Sequence, residues 1–123
     1  RDTLVGGPGQ DTMSGGAGRD IFRFYSVNSS ATDINRDVIT DFEAMDKIDL
    51  KTIDAKLDVA GDQAFSFNSG AVFSGTFSNS GELFLDTNNS VLYGNNDSDG
   101  LADFSLKIDL DVLFTLTSDH FIL

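Results

Sequence analysis

Read for apolar and polar positions alone, the chain falls into two unlike parts. Across residues 2 to 23 one large apolar residue recurs every nine positions, Leu4, Met13 and Phe22, and most of what lies between is glycine, aspartate or small polar residues. That spacing matches neither the helical period nor a long alternating strand. It predicts short strands, each sending one apolar side chain inward, separated by tight turns. From Phe24 to Asn35 the composition shifts to Ser, Asn, Thr and Asp, which predicts a connecting loop. Beyond it come short apolar stretches, "DVITDF", "KIDL", "QAFSFN", "AVFSG", "ELFLD", "SVLYGN", "DFSLKIDL" and "DHFIL", parted by Gly, Asn, Asp and Ser. These read as strands. Only residues 51 to 61 carry apolar residues at helical spacing, Ile53, Leu57 and Ala60. The reading is mostly β structure with at most one or two short helical turns.

The polar positions of the first part are as periodic as the apolar ones. Asp2, Asp11 and Asp20 also recur every nine residues, so "GGPGQDTMS" and "GGAGRDIFR" are two copies of one unit, G-G-x-G-x-D-x-U-x, with U a large apolar residue. The opening "RDTLV" reads as the second half of an earlier copy, as expected of a piece cut from a longer protein with further repeats upstream. In such a unit a six-residue turn precedes a three-residue strand, and the glycines permit left-handed backbone and close approach, so that carbonyl oxygens converge. Successive units would lie on opposite sheets, with equivalent turns stacked eighteen residues apart. Asp2 then sits beside Asp20, and two stacked carboxylates repel unless a cation lies between them. A hard divalent ion taking six or more oxygens suits this arrangement. Ca²⁺ fits better than Mg²⁺, which demands stricter octahedral geometry, and Zn²⁺ would want nitrogen or sulfur ligands.

Composition narrows the function. The 123 residues are 40% hydrophobic with 11 Phe, enough for one domain. Twenty acidic residues against eight basic ones give a net charge of -12, which disfavours nucleic acid, polyanionic glycans and anionic membranes as partners and favours cations. The absence of Cys removes disulfides and thiolate chemistry, and the single His120 leaves neither a zinc-protease motif nor a Ser/His/Asp triad. No apolar run long enough to span a membrane and no N-terminal leader are present, so no membrane insertion is expected.

The tandem repeats resemble the calcium-binding parallel β-roll of the repeats-in-toxin proteins. The sequel "GGAGRDIFRF", "DVITDF", "DKIDL", "GDQAFSF", "YGNNDSDGLADFSL" and "DHFIL" resembles the C-terminal module of serralysin-type secreted metalloproteases. The resemblance implies an all-β module, a short parallel β-roll over residues 1 to about 40 running into an antiparallel β-sandwich over 41 to 123. It also implies how the ions are held. Gly7, Gly9 and Asp11 would face a partner near Ser29, Gly16, Gly18 and Asp20 would face Asp37, and Gly15, Ala17 and Asp20 would face the turn of Asp2. Ser29 departs from the family's usual Asp, so its site would be weaker or completed by a carbonyl, a water or Asn28. The tail, Asp119 to Leu123, resembles a type I secretion signal read by an ABC transporter.

Other motifs carry less. "NNDSDGLAD" places Asn95, Asp97, Asp99 and Asp103 around Gly100, like the start of an EF-hand loop, but Leu106 stands where an EF-hand has its bidentate Glu. It reads first as a strand-joining turn and second as an accessory Ca²⁺ loop. Asp41 with Glu43, or Asp46 with Asp49, could be drawn as acid/base pairs, though an acidic β surface yields such pairs by chance. The expected function is a non-enzymatic Ca²⁺ module of a larger extracellular protein, folding after export and attached to an upstream domain. The rival is an extracellular glycan- or surface-binding module. A polyuronate partner would want a Lys/Arg stripe, which eight scattered basic residues do not suggest.

Overall fold

The computed structural model describes residues 1–110 and 115–123. The nonapeptide phase sets the winding. Strands β1 (Thr3–Leu4), β2 (Thr12–Met13) and β3 (Ile21–Arg23) are the strand halves of the repeat, and the chain passes alternately between two sheets, with β1 and β3 in one and β2 in the other. Thr3 lies opposite Ile21 and Leu4 opposite Phe22, in parallel, at the eighteen-residue spacing read from the repeat.

The winding resumes after the polar loop, which carries a 3₁₀ turn at Val27–Ser29. Strand β4 (Asp37–Phe42) lies parallel to β2 with Val38 opposite Thr12, and β5 (Lys47–Asp49) lies parallel to β3 with Lys47 opposite Ile21. Both offsets are 26 residues (38 − 12 and 47 − 21), eight more than the first. The loop between β3 and β4 supplies the extra residues.

The rest of the chain extends both sheets. In chain order it forms β6 (Ser66–Gly70), β7 (Glu82–Asp86), β8 (Val91–Asn95), β9 (Phe104–Leu110) and β10 (Phe121–Ile122). One sheet runs β1-β3-β5-β10, all parallel; the other runs β2-β4-β9-β8-β7-β6. The fold is thus all-β, a parallel roll leading into a mixed sheet. Its antiparallel joins are β7 with β8 and β8 with β9, while β9 on β4 and β6 on β7 are parallel.

The core fills the space between the sheets. Leu4, Phe22, Ile48 and Phe121 form one cross-strand row, and Met13, Ile39 and Ile108 form another. Phe22, Ile39, Ile48 and Ile108 are fully buried, each worth about 1.5–3 kcal/mol relative to exposure. Phe121 reaches Phe67 at 4.9 Å between ring centroids, and Phe65 meets Phe104 at 5.9 Å, which ties the tail and the mixed sheet to the roll.

Two local expectations fail for physical reasons. Residues 51 to 61 form turns rather than a helix, because the Asp54 carboxylate accepts the amides of Lys56 and Gln63, a local alternative to helical bonding. Ile53 and Ala55 are buried there while Leu57 stays 63% exposed. "AVFSG", residues 71 to 75, is also no strand. The Asp86 carboxylate accepts the Phe73 amide at 3.0 Å, and the Phe73 ring stacks on Tyr93 at 4.4 Å on the outer face of the mixed sheet.

Candidate metal centre

Each strand of the roll has an aspartate just before it or, for β4, as its first residue, Asp2, Asp11, Asp20, Asp37 and Asp46 in order, and the alternation between sheets sorts them onto two edges. Asp2, Asp20 and Asp46 lead into β1, β3 and β5; Asp11 and Asp37 lead into β2 and β4. Along each edge a carboxylate accepts the amide N–H of the aspartate in the coil before it. Asp2 donates to Asp20 Oδ1 at 2.6 Å, Asp20 to Asp46 Oδ1 at 2.8 Å, and Asp11 to Asp37 Oδ1 at 2.9 Å.

The second carboxylate oxygen distinguishes the turns. Oδ2 of Asp11, of Asp20 and of Asp37 is buried with no hydrogen-bond partner. For Asp11 and Asp20 that oxygen is folded back onto the glycine turn before it: a Cβ on Gly6 would lie 2.7 Å from Asp11 Oδ2, and one on Gly15 would lie 2.9 Å from Asp20 Oδ2. Left-handed backbone at Gly7 (φ +85°) and Gly16 (φ +73°) lets the turn curl around this point. A buried carboxylate oxygen without a donor costs free energy. Asp46 differs, since its Oδ2 accepts the Glu43 amide at 2.8 Å. The glycine-free turn before β5 therefore satisfies its aspartate with protein donors, whereas the two glycine-rich turns do not.

Electrostatics point the same way. Burial pushes the Asp37 carboxyl up from its ordinary value; the Asp11 amide opposes this and the Asp11 charge adds to it. For Asp41 burial also pushes upward, but the Ser14 hydroxyl and the amides of Gly16 and Gly15 outweigh it and hold the carboxyl below the ordinary value. Those three groups donate at 2.6, 2.8 and 3.0 Å and clamp the turn after β2 onto the end of β4.

The structure brings Asp2 and Asp20 together, at the eighteen-residue spacing of the repeat, but it corrects the pairing of Asp20 with Asp37. Asp37 is the neighbour of Asp11, not of Asp20, and Asp20 has Asp46 below it. The reason is the eight-residue excess in the loop, which spoils any eighteen-residue count taken across it. Ser29 sits in the 3₁₀ turn beside the turn of Asp11, and its side chain lies outside the described residues. Asn28, Gly9, Gln10, Ser30 and Asn35 line a cavity of about 410 Å³ between that turn and the loop. Gly7, Gly9, Gly15, Gly16, Ala17 and Gly18 all lie in the two turns before Asp11 and Asp20.

Sequence reading missed the role of Asp46. The signal was present, because Asp37 and Asp46 are again nine residues apart and each precedes an isoleucine by two, Ile39 and Ile48. The absent glycines hid this last repeat. Ser30 was missed as well; its Oγ accepts the Asp37 amide at 2.8 Å and donates to the Ser105 carbonyl at 2.5 Å, which closes the loop onto β9.

The second acidic motif joins β8 to β9. Carboxylate oxygens of Asp97, Asp99 and Asp103 lie within 4.8 Å of one another. The loop is knitted by its own side chains: Asp97 Oδ1 accepts the Asp99 amide at 3.0 Å, Asp99 Oδ1 the Leu101 amide at 2.8 Å, and Asp103 Oδ2 the Asn96 amide at 2.8 Å. Burial, with the charges of Asp97 and Asp99, raises the Asp103 carboxyl against the Asn96 amide.

The roll's donor set is all oxygen, with three orphaned carboxylate oxygens, two of them against Gly6 and Gly15 where a side chain would collide, and it suits a hard divalent cation. Comparison with known proteins agrees with this architecture. A solved structure, the AlgE6R3 subunit of the mannuronan C5-epimerase from Azotobacter vinelandii, is similar in fold at a TM-score of 0.55 and 23% identity, and the likeness covers 98% of this chain. The chain spans 61% of the length of that subunit. No match is found among the curated proteins. The family model described as peptidase M10 serralysin C terminal matches residues 2–108, the roll and most of the mixed sheet, and the chain belongs to that family.

Proposed function

We propose that the chain is a non-catalytic Ca²⁺-binding module of a larger extracellular protein, whose roll completes its folding by taking up Ca²⁺ after export. The observation that carries this reading is the set of unpartnered oxygens on Asp11, Asp20 and Asp37. Asp11 and Asp37, with the carbonyls of Gly7 and Gly9, would hold an ion at one edge of the roll. Asp20, with Asp2 and the carbonyls of Gly15, Gly16, Ala17 and Gly18, would hold one at the other edge. A bound ion neutralises stacked carboxylates and offsets the chain entropy of glycine turns, so binding free energy becomes folding free energy.

Export through a type I ABC transporter fits the place of the tail in the fold. Strand β10 pairs with β5, Phe121 opposite Ile48, so the tail is engaged once the roll exists and free before it forms. At affinities of about 10⁻⁴ to 10⁻³ M, the range of extracellular modules, cytosolic Ca²⁺ would leave the sites empty and the chain competent for export. The parent protein's upstream domain would carry any activity. The test is circular dichroism during a Ca²⁺ titration from a chelated start: β structure should grow saturably with Ca²⁺, and a spectrum indifferent to Ca²⁺ would refute the reading.

A further inference from the structure

Strand β6 is the last of its sheet, paired with β7 on one side and with no other strand among the described residues. Its backbone is half used. Ser66 donates to the Gly81 carbonyl at 2.8 Å and the Gly70 carbonyl accepts the Thr87 amide at 2.9 Å, so the even-numbered residues bond toward β7. Phe67 and Ser69 then turn their N–H and C=O groups to the free edge. Natural edges are usually guarded by charge, proline or a covering element, but β6 reads Ser-Phe-Asn-Ser-Gly, with neither charge nor proline, and Ser66, Asn68 and Ser69 are exposed.

Two cavities open on the outer face beside this edge, and successive outward residues of β6 line one each. Ser66 lines a cavity of about 470 Å³ with Phe77, Glu82, Asp58 and Lys56. Asn68 lines one of about 270 Å³ with Phe73, Phe77, Phe84 and Glu82. The second is aromatic: Phe73 lies 4.9 Å from Phe77 and 5.6 Å from Phe84 between ring centroids, and the Phe84 ring reaches over Gly70, where a Cβ would meet it at 2.8 Å. The first is acidic on balance, two carboxylates against one ammonium. Among the described residues the ion pairs are Arg23 with Asp49 and Lys107 with Asp109, so Asp58 and Glu82 have no cation partner, and Glu82 accepts the Asn79 amide at 3.3 Å.

We infer that the free edge of β6 docks an extended segment of a basic partner protein, added as an antiparallel strand that carries an aromatic residue and, two positions later, an arginine or lysine. Bonds to Phe67 and Ser69 supply affinity, and alternate side chains of the segment enter the two cavities and supply specificity. Antiparallel pairing, the more stable kind, sets the order. The segment passes Asn68 before Ser66, so its aromatic side chain meets Phe73, Phe77 and Phe84, and its cation meets Glu82 and Asp58. The short side chains of Ser66 and Asn68 let longer ones cross them. The net charge of -12 draws a basic partner and repels an acidic one. The edge lies in the mixed sheet and uses none of the oxygens assigned to Ca²⁺.

The test is amide NMR of the whole chain in saturating Ca²⁺, titrated with the capped peptide Thr-Val-Phe-Thr-Arg-Val. The Phe67 and Ser69 amides should shift saturably and gain protection from hydrogen exchange. Altered peptides dissect the mode: N-methylation of the Thr between Phe and Arg, Arg replaced by Glu, and Phe replaced by Ala should each weaken binding at least ten-fold. Glu82→Gln should weaken binding of the parent peptide at least five-fold, whereas Asp62→Asn, which removes the same charge at another exposed position, should leave it unchanged. Ca²⁺ affinity measured on both variants separates loss of this edge from loss of the roll. Absence of saturable shifts at Phe67 and Ser69, equal binding of any altered peptide, or full binding by the Glu82→Gln variant would overturn the inference.

Discussion

The amide of Asp11 donates to the carboxylate of Asp37 at 2.9 Å, across 26 residues of sequence, and leaves the other Asp37 oxygen buried and unpartnered. One oxygen therefore holds adjacent coils together, and the other is held in place without a donor. The two roles can be separated by substitution.

Asp37→Asn keeps an oxygen for the Asp11 amide and removes the charge. In the ion-free protein the Asp37 carboxyl is raised from 3.8, first by burial. Its favourable contribution is therefore complete below that value and is lost as pH rises through the raised folded value. At neutral pH the ion-free Asn variant should resist urea better than the parent. With Ca²⁺ present the order should reverse, because a carboxylate ligand is gone. Urea melts at pH 7 with Ca²⁺ and with chelator check both halves.

Asp46→Ala and Asp20→Ala should fail differently. Asp46 gives both oxygens to protein amides, of Asp20 and Glu43, so its loss should lower stability by about 1–3 kcal/mol with or without Ca²⁺. Asp20 has one oxygen free of protein donors, so its loss should fall chiefly on Ca²⁺ affinity. Calorimetric titration beside urea melts distinguishes the two patterns.

Gly94→Ala tests the mixed sheet. A Cβ there would lie 2.2 Å from the Phe104 ring, which is packed over β8. Displacing that ring, itself buried against Phe65 at 5.9 Å, should cost about 1–3 kcal/mol or more. Thermal melting in saturating Ca²⁺ reads this without involving the roll's ions.

How far the sequence revealed this arrangement depended on where the period held. Leu4, Met13 and Phe22 announced the winding because a nine-residue phase admits few other folds, and Asp2 beside Asp20 followed from it. The phase broke at the loop after Phe24, whose length is set by Ser30 and Arg36 docking on Ser105 rather than by local pattern. No count along the chain could carry Asp11 to Asp37 across it.

Deleting residues 119–123 removes β10 and uncovers Ile48 and Phe67, against which Phe121 packs. A loss of about 1.5–3 kcal/mol is expected from the Phe121 side chain alone. Export of a fused passenger by a cell carrying a type I exporter should cease, while Ca²⁺ binding by the roll persists. Secretion assays with and without the tail check this.

The central claim is that the orphaned oxygens of Asp11, Asp20 and Asp37 are Ca²⁺ ligands. The most direct measurement is Ca²⁺ titration by calorimetry of the parent chain and of the triple variant Asp11→Asn/Asp20→Asn/Asp37→Asn, each started from chelated protein. Asn preserves shape and an amide-accepting oxygen at each position, so the coils can still stack. The parent should show saturable binding, and the triple variant should lose it. Undiminished Ca²⁺ binding by the triple variant would contradict the assignment.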